Sequence, residues 1–307
     1  MHTIASRFHS RAAPPAALSV ALLAFLALTA AGCANMSPAA SQPPALDSER
    51  IAQIVAAPDR SAADRTNDLR RKPEQMLGFI GVRLGMVALD LSAAGGYTTE
   101  LLARAVGPTG RVYGQSAPRN VDNPPRPPAA PEGNSSPVAA PASPATAEAP
   151  ATTAPPAVRR TSAQALAERA KNPAARNIVA VERKFEDPVP PEVAAGGLDL
   201  VTLMFNYHDL GHMGVDRAAM NKAVFAALKP GAIYVIADHA GRPGTGISES
   251  GTLHRIEEAF LKSEVEAAGF RLQDEGNFMR NPSDPRDRNT PDPPQPKDEF
   301  VLKFVKP

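Results

Sequence analysis

Residues 206–209, Asn-Tyr-His-Asp, place an amide, a phenol, an imidazole and a carboxylate in succession at the end of the apolar run Leu198–Phe205. Such a set can orient a substrate through hydrogen bonds and take a proton from it, because imidazole titrates near neutral pH and a neighbouring carboxylate tunes it. His208 and Asp209 are the candidate base, with Tyr207 as a wall beside them. Asp238 and His239 end a second apolar run. Together His208, Asp209, Asp238 and His239 offer nitrogen and oxygen donors to a divalent ion. Their spacing matches no recognised zinc pattern, so no metal is assigned. His212 falls in the same half, and His254 is expected at the surface or as a cap of a helix.

The second chemical stretch is Gly-Met-Val-Ala-Leu-Asp-Leu-Ser-Ala-Ala-Gly-Gly-Tyr at 85–97. It reads as a buried strand carrying Asp90 near its end, a loop of small residues, and a helix from Tyr97. A strand that runs through a tight loop into a helix brings backbone N–H groups up to a polar ligand. Small residues matter there, since a Cβ would hold the ligand off the backbone. Gly241-Arg242-Pro243-Gly244-Thr245-Gly246 is a weaker feature. No Lys follows it, so it reads as a flexible connection ending in a cap at Ser250 or Thr252, with Arg242 within reach of an acidic substrate.

The elements that must position these groups alternate. Strand-like runs are Met86–Leu91, Arg111–Gln115, Asn177–Glu182, Leu198–Phe205 and Ala232–Asp238. Helical stretches between them are Tyr97–Val106, Ser162–Lys171, Pro191–Ala195 and Asp216–Leu228, and three more helices precede the first strand within 48–80. Alternation of this kind predicts a parallel sheet with helices on both faces. A last helix is expected over Thr252–Ala268, from the spacing of Leu253, Ile256, Ala259 and Phe260. Phe270–Phe278 and Asp298–Val305 follow with no helix between them, which predicts an antiparallel final pair. Ligands of an open parallel sheet bind beyond the carboxyl ends of its strands. The unusual loops all leave those ends, and 280–297 is a candidate lid.

The chain's ends bound its setting. Arg7 and Arg11 precede an apolar run, Leu18–Ala31, that is too short to span a membrane and stops at Ala30-Ala31-Gly32-Cys33. This predicts an export signal over 1–33 with a lipoprotein-like box, and lipid attachment at Cys33, the single cysteine. Residues 34–47 read as a tether and 48–307 as one domain. The insertion Ser116–Val158 carries twelve prolines and no apolar period, and is expected to be disordered. Without Arg7 and Arg11, 31 basic residues face 32 acidic ones, which argues against nucleic acid as a partner. The expected location is the periplasmic face of a membrane. The oligomeric state is left open.

Asp90-Leu91 followed by Ser92, Ala94 and Gly96 resembles the first motif of class I S-adenosylmethionine (SAM)-dependent methyltransferases, an acid and an apolar residue before Gly-x-Gly-x-Gly. Here Ser92 and Ala94 stand at the first two glycine positions, and Gly95 is an extra glycine. Asn206 agrees with the Asn/Asp-Pro-Pro-aromatic motif of amino-methylating members, while Tyr207 and His208 replace both prolines. As a whole, 48–115 and 177–307 are similar to a group of predicted bacterial methyltransferases carrying export signals. The stretches that carry this are Ala57-Pro58-Asp59-Arg60-Ser61, Asn206-Tyr207-His208-Asp209, Gly214-Val215-Asp216-Arg217-Ala218-Ala219-Met220-Asn221, Ala267-Ala268-Gly269-Phe270 and Phe300-Val301-Leu302-Lys303-Phe304.

The resemblance implies a Rossmann-like, seven-stranded, mostly parallel α/β sheet with an antiparallel last strand. It also implies SAM as cofactor. On that basis Asp90 would sit near the methionine amino group, and Ser92 to Gly96 would pass under the methionine and ribose. Gln115 would replace the acid that accepts the ribose hydroxyls. Phe185, Glu186 and Asp187 would lie near adenine. His208 and Asp209 would serve the methyl acceptor. SAM is made in the cytoplasm, and the leader directs the chain out of it. Two other readings therefore stay open: a catalytically silent, lipid-anchored binding module, and a metal-assisted envelope hydrolase.

Overall fold

The computed structural model describes residues 43–118, 160–289 and 295–307. The leader, Cys33, most of the tether and the bulk of the Pro-rich insertion lie outside the described residues. Residues 43–47, expected as tether, already belong to the domain. Ala45 bridges Arg83, and Leu46 N donates to Val82 O at 2.9 Å.

Three helices come first: α1 (Ser48–Ala56), α2 (Ala62–Arg71) and α3 (Pro73–Ile80). Each start is written in the residues. Asp47 and Ser61 side chains accept from backbone N–H groups three residues on, and Pro73 opens α3 where no N–H is needed. The alternating part follows as β1 (Val87–Leu91), α4 (Tyr97–Val106), β2 (Arg111–Ser116), α5 (Ser162–Arg169), β3 (Ile178–Glu182) and β4 (Leu198–Met204). It continues as α6 (Asp209–His212), α7 (Arg217–Ala227), β5 (Leu228–His239), α8 (Glu258–Glu266), β6 (Arg271–Gly276) and β7 (Glu299–Val305).

The strand order is β3-β2-β1-β4-β5-β7-β6. β1 to β5 pair in parallel, and β7 lies antiparallel between β5 and β6. The expected sheet is therefore the one that forms. Side chains alternate across it and feed two cores. Leu89, Leu91, Val201, Leu203, Tyr234 and Ile236 pack with Met220 and Val224 of α7 and Leu261 and Val265 of α8. Ala88, Val112, Leu200 and Val235 pack with α1, α3 and α4 on the other face.

Three expectations change. The helix expected over Pro191–Ala195 is a three-residue 3-10 turn, Pro191–Val193. The last helix begins at Glu258, not near Thr252. Residues 250–253 turn instead, and Ile256 bridges Ala240 in parallel, its N–H donating to His239 O at 3.1 Å. Leu253 and Ile256 fit a helical period by count, but burying Ile256 beside the sheet wins over local spacing. The loop read as a lid is anchored in its described parts. Arg255 and Asp284 form a fully buried ion pair at 2.9 Å, and Arg286 meets Asp298 at 2.6 Å.

Candidate active site

β1 hands on to β2 on one side and lies beside β4 on the other, so the connections leaving the carboxyl ends of β1 and β4 diverge. This is the switch point of an open sheet, where a crevice forms. A cleft of about 480 Å³ opens there, within the range of roughly 300–1,000 Å³ usual for small-molecule sites. The 92–95 loop, Phe205, Asn206 and Asp209 line it from the sheet, and Ala63, Asp64, Asn67 and Arg71 of α2 form the facing wall.

Charge pairs hold that wall. Arg60 and the Tyr97 hydroxyl both bond Asp68, each at 2.7 Å. Arg169, at the end of α5, pairs with Asp64 of α2 at 2.6 Å, bonds Glu100 of α4, and donates to Gly95 O at 2.5 Å. One guanidinium thus joins three helices and the loop. Sequence reasoning missed Arg169, Asp64 and Arg71, because each lies on a helix with an ordinary charged face.

The loop keeps the backbone that glycines would take. Ser92, Ala94 and Gly96 have φ of 56°, 46° and 81°, and Phe205 opposite has 60°. For a residue with a Cβ the left-handed region costs roughly 1–2 kcal/mol, so surrounding bonds must impose it. Ser92 N donates to Gln115 Oε1 at 3.0 Å, Ser92 Oγ to Asn206 Oδ1 at 2.7 Å, and Ala93 N to Gln115 O at 2.8 Å. The two glycines that are present, Gly95 and Gly96, differ in kind. A Cβ on Gly95 meets only open space, whereas one on Gly96 would fall 2.7 Å from Leu166 Cδ2 and 2.8 Å from Arg169 Cδ. Gly96 serves helix packing, and Gly95 leaves room at the cleft.

Asp90 stands under the loop, buried, and accepts from Thr99 Oγ1 at 2.6 Å and Thr202 Oγ1 at 2.8 Å. Burial raises its carboxyl, the two hydroxyls pull it partly back, and it settles at about 6. A buried acid of this kind is stabilised in its charged form by a cation brought into the cleft.

Five expected site residues lie elsewhere. Gln115 is fully buried and turned into the protein, where it accepts from Ser92 N and donates to Arg183 O at 2.7 Å. It shapes the loop and does not border the cleft. Glu186 points to the start of α7, accepting from Asp216 N at 3.3 Å. Beside it, Phe185 is core and Asp187 pairs with Arg183. Tyr207 is buried under α7 and α8, donating to Glu264 Oε2 at 3.0 Å and accepting from Asn221 at 2.9 Å, so it is no wall of the cleft. β4 ends at Met204 and the chain turns into α6 from His208, so Asn206 and Asp209, three apart, share the cleft side while Tyr207 and His208 are buried.

Asn206 and Asp209 do reach the cleft and are joined, Asn206 Nδ2 donating to Asp209 Oδ2 at 3.0 Å. Behind Asp209 four histidines meet. His208 is fully buried, its Nδ1 2.5 Å from Asp238 Oδ1 and its Nε2 3.2 Å from Asp209 Oδ1. His254 Nδ1 bonds Asp209 Oδ1 at 2.8 Å. His239 stacks on His208 with centroids 5.2 Å apart, and His212 lies edge-on to His254 at 5.8 Å. Burial alone would lower the His208 imidazole; Asp238 and Asp209 outweigh it and raise it to about 10. Burial raises Asp209, but His208 and His254 bring it below the usual carboxylate range.

His254 was expected at a surface or helix cap. It sits instead in the left-handed region, φ 52°, just after the 250–253 turn and ahead of α8, its Nδ1 bonded to Asp209. Arg242 pairs with Glu249, and Ser250 Oγ caps no helix but donates to His208 O at 2.5 Å and accepts from His212 N at 2.9 Å. One signal for the cluster was present in the chain. His208-Asp209-Leu210-Gly211-His212 sets two histidines four apart, a spacing that puts both on one side of a helical turn.

No family model matches this chain, and no curated protein matches it. Solved structures do. A SAM-dependent methyltransferase from Aquifex aeolicus aligns with a TM-score of 0.50 at 15% identity, over 85% of this chain and 100% of that one. An arsenic(III) S-adenosylmethionine methyltransferase from Chlamydomonas reinhardtii aligns at 0.47 and 13%, over 87% and 74%. The shared property is the fold, a Rossmann-like methyltransferase sheet.

Proposed function

We propose that this chain is a SAM-dependent methyltransferase of the bacterial cell envelope. The observation that carries the reading is the 92–96 loop. It holds the left-handed backbone of a glycine-rich turn at Ser92 and Ala94, where glycine is absent, and it does so at the mouth of a cleft beside a buried acid. Strain of this kind persists only where surrounding structure imposes it, and it gathers at ligand sites.

SAM fits what is present. Asp90, raised by burial, would face the amino group. The backbone at 92–95 would pass under the ligand, and the open space at Gly95 leaves room for it. Arg71, whose guanidinium lies 4.3 Å over the Phe205 ring, borders the cleft where a carboxylate could be met. The bound cofactor would supply an activated methyl group. The chain's own task is then to hold an acceptor atom in line with it and to manage the acceptor's proton. Asp209, kept ionised by His208 and His254, accepts a hydrogen bond from the acceptor, and Asn206 fixes its second oxygen.

The reading includes export of the chain and a lipid on Cys33. A second reading, a binding module without catalysis, is favoured by Gln115, which turns inward and leaves the usual ribose-binding position without a carboxylate at the cleft. Calorimetric titration with SAM and S-adenosylhomocysteine separates the two. One site per chain in the micromolar range supports the methyltransferase; no heat from either ligand rejects it.

A further inference from the structure

We propose that His208, Asp209 and His254 form a binding site for one divalent cation of the zinc type, opening on the cleft through Asp209. The donor atoms of these three residues lie within 4.8 Å of one another. His254 Nδ1 and His208 Nε2 stand 2.8 Å and 3.2 Å from Asp209 Oδ1. Ligand atoms at about 2.0–2.1 Å around a tetrahedral zinc are about 3.3 Å apart, so small side-chain shifts would complete the set.

The second observation is an unsatisfied atom. His208 Nε2 is buried and makes no hydrogen bond, and Asp209 Oδ1 at 3.2 Å lies out of line with it. Its other nitrogen, Nδ1, must donate to Asp238, because an ionised carboxylate only accepts. A cation binding there would displace the proton from Nε2, and the lone pair so freed points into the cluster. Carboxylate, histidine and open lone pair in sequence is how proteins orient a metal-binding imidazole. Asp238 is fixed in turn, since its oxygens also accept from His208 N at 2.7 Å and His239 N at 2.8 Å.

The donor set selects the ion. Two imidazoles and one carboxylate suit zinc-like ions over magnesium or calcium, which prefer oxygen. Three protein ligands leave a fourth position open, as in sites that hold a water or a substrate atom. Asp209 lines the cleft, so that position would face whatever molecule lies there. The site does not depend on SAM.

The full chain, stripped with a chelator and confirmed folded by circular dichroism, is titrated calorimetrically with zinc chloride and separately with magnesium chloride, without SAM. One zinc per chain is expected, with no comparable magnesium binding. His254→Ala should weaken zinc at least tenfold. Asp238→Asn, which leaves all three ligands in place, should weaken it about 10–100-fold. If Asp238→Asn does not fold, His254→Ala decides, because its side chain is partly exposed at 19%. A folded wild-type chain that takes no zinc overturns the proposal. So does zinc binding that His254→Ala leaves unchanged, or magnesium binding of equal strength.

Discussion

Asp90 shows how a single side chain couples stability to ligand chemistry. Its carboxyl is at about 6 in the folded chain against roughly 3.9 for an exposed aspartate. The folded state therefore holds a proton that the unfolded state releases between these values, and stability falls as pH rises through that window. Asp90→Asn removes the charge, so it should stabilise the chain above pH 6, by an amount on the order of 1–3 kcal/mol, and make little difference below pH 4. Denaturant melts at pH 4, 6 and 8 test this, and a gap that stays constant with pH would refute it. The neighbouring glycines separate in the same manner. Gly95→Val projects into open space at the cleft and should reduce SAM affinity at least tenfold with melting unchanged. Gly96→Val meets Leu166 and Arg169 at a positive φ and should lower stability by about 2 kcal/mol or more.

At the scale of elements, the wall of the cleft is a helix held by charge. α2 exposes most of its surface and buries only Asp64, so few apolar contacts secure it to the sheet. Arg169 supplies the tie from α5, bonding Asp64, Glu100 and Gly95 O together. Removing it leaves two buried carboxylates without their shared partner. Arg169→Ala should destabilise the domain by about 2–4 kcal/mol and raise hydrogen exchange in α2 before the strands open. Exchange that rises evenly across the domain would show that α2 is secured by other means. The helix ahead of β6 makes the complementary point. Its apolar residues were countable in sequence, but Ile256 is used in a bridge to Ala240, and the six-residue shift in the helix start carries His254 to Asp209.

For the whole molecule, the sheet and the cleft fall in residues 43–307, and the proposed anchor lies ahead of them at Cys33. Among the described residues no helix is long and apolar enough to cross a membrane. If the lipid at Cys33 is the attachment, Cys33→Ser should move the protein from the membrane pellet to the soluble fraction. Retention in the pellet would assign the attachment to another part of the chain.

Local chemistry determined the architecture. Runs of apolar residues, caps at Asp47 and Ser61, and the absence of a helix before Asp298 set strand count, the starts of α1 and α2 and the antiparallel end, because these depend on neighbours a few positions away. The turn at 92–96, Asp90 and the pair Asn206 and Asp209 were legible for the same reason, as each sits where a strand ends. What only the tertiary structure decided is which side chains face the cleft. Gln115, Glu186 and Tyr207 are polar and well placed by number, yet their partners Arg183 O, Asp216 N and Glu264 come from other elements and draw them away. Arg169 and His254 arrive from the far side of an insertion and from an irregular turn before a helix. Directions of this kind are set by packing and by satisfying buried polar groups across the chain, and no local spacing encodes them.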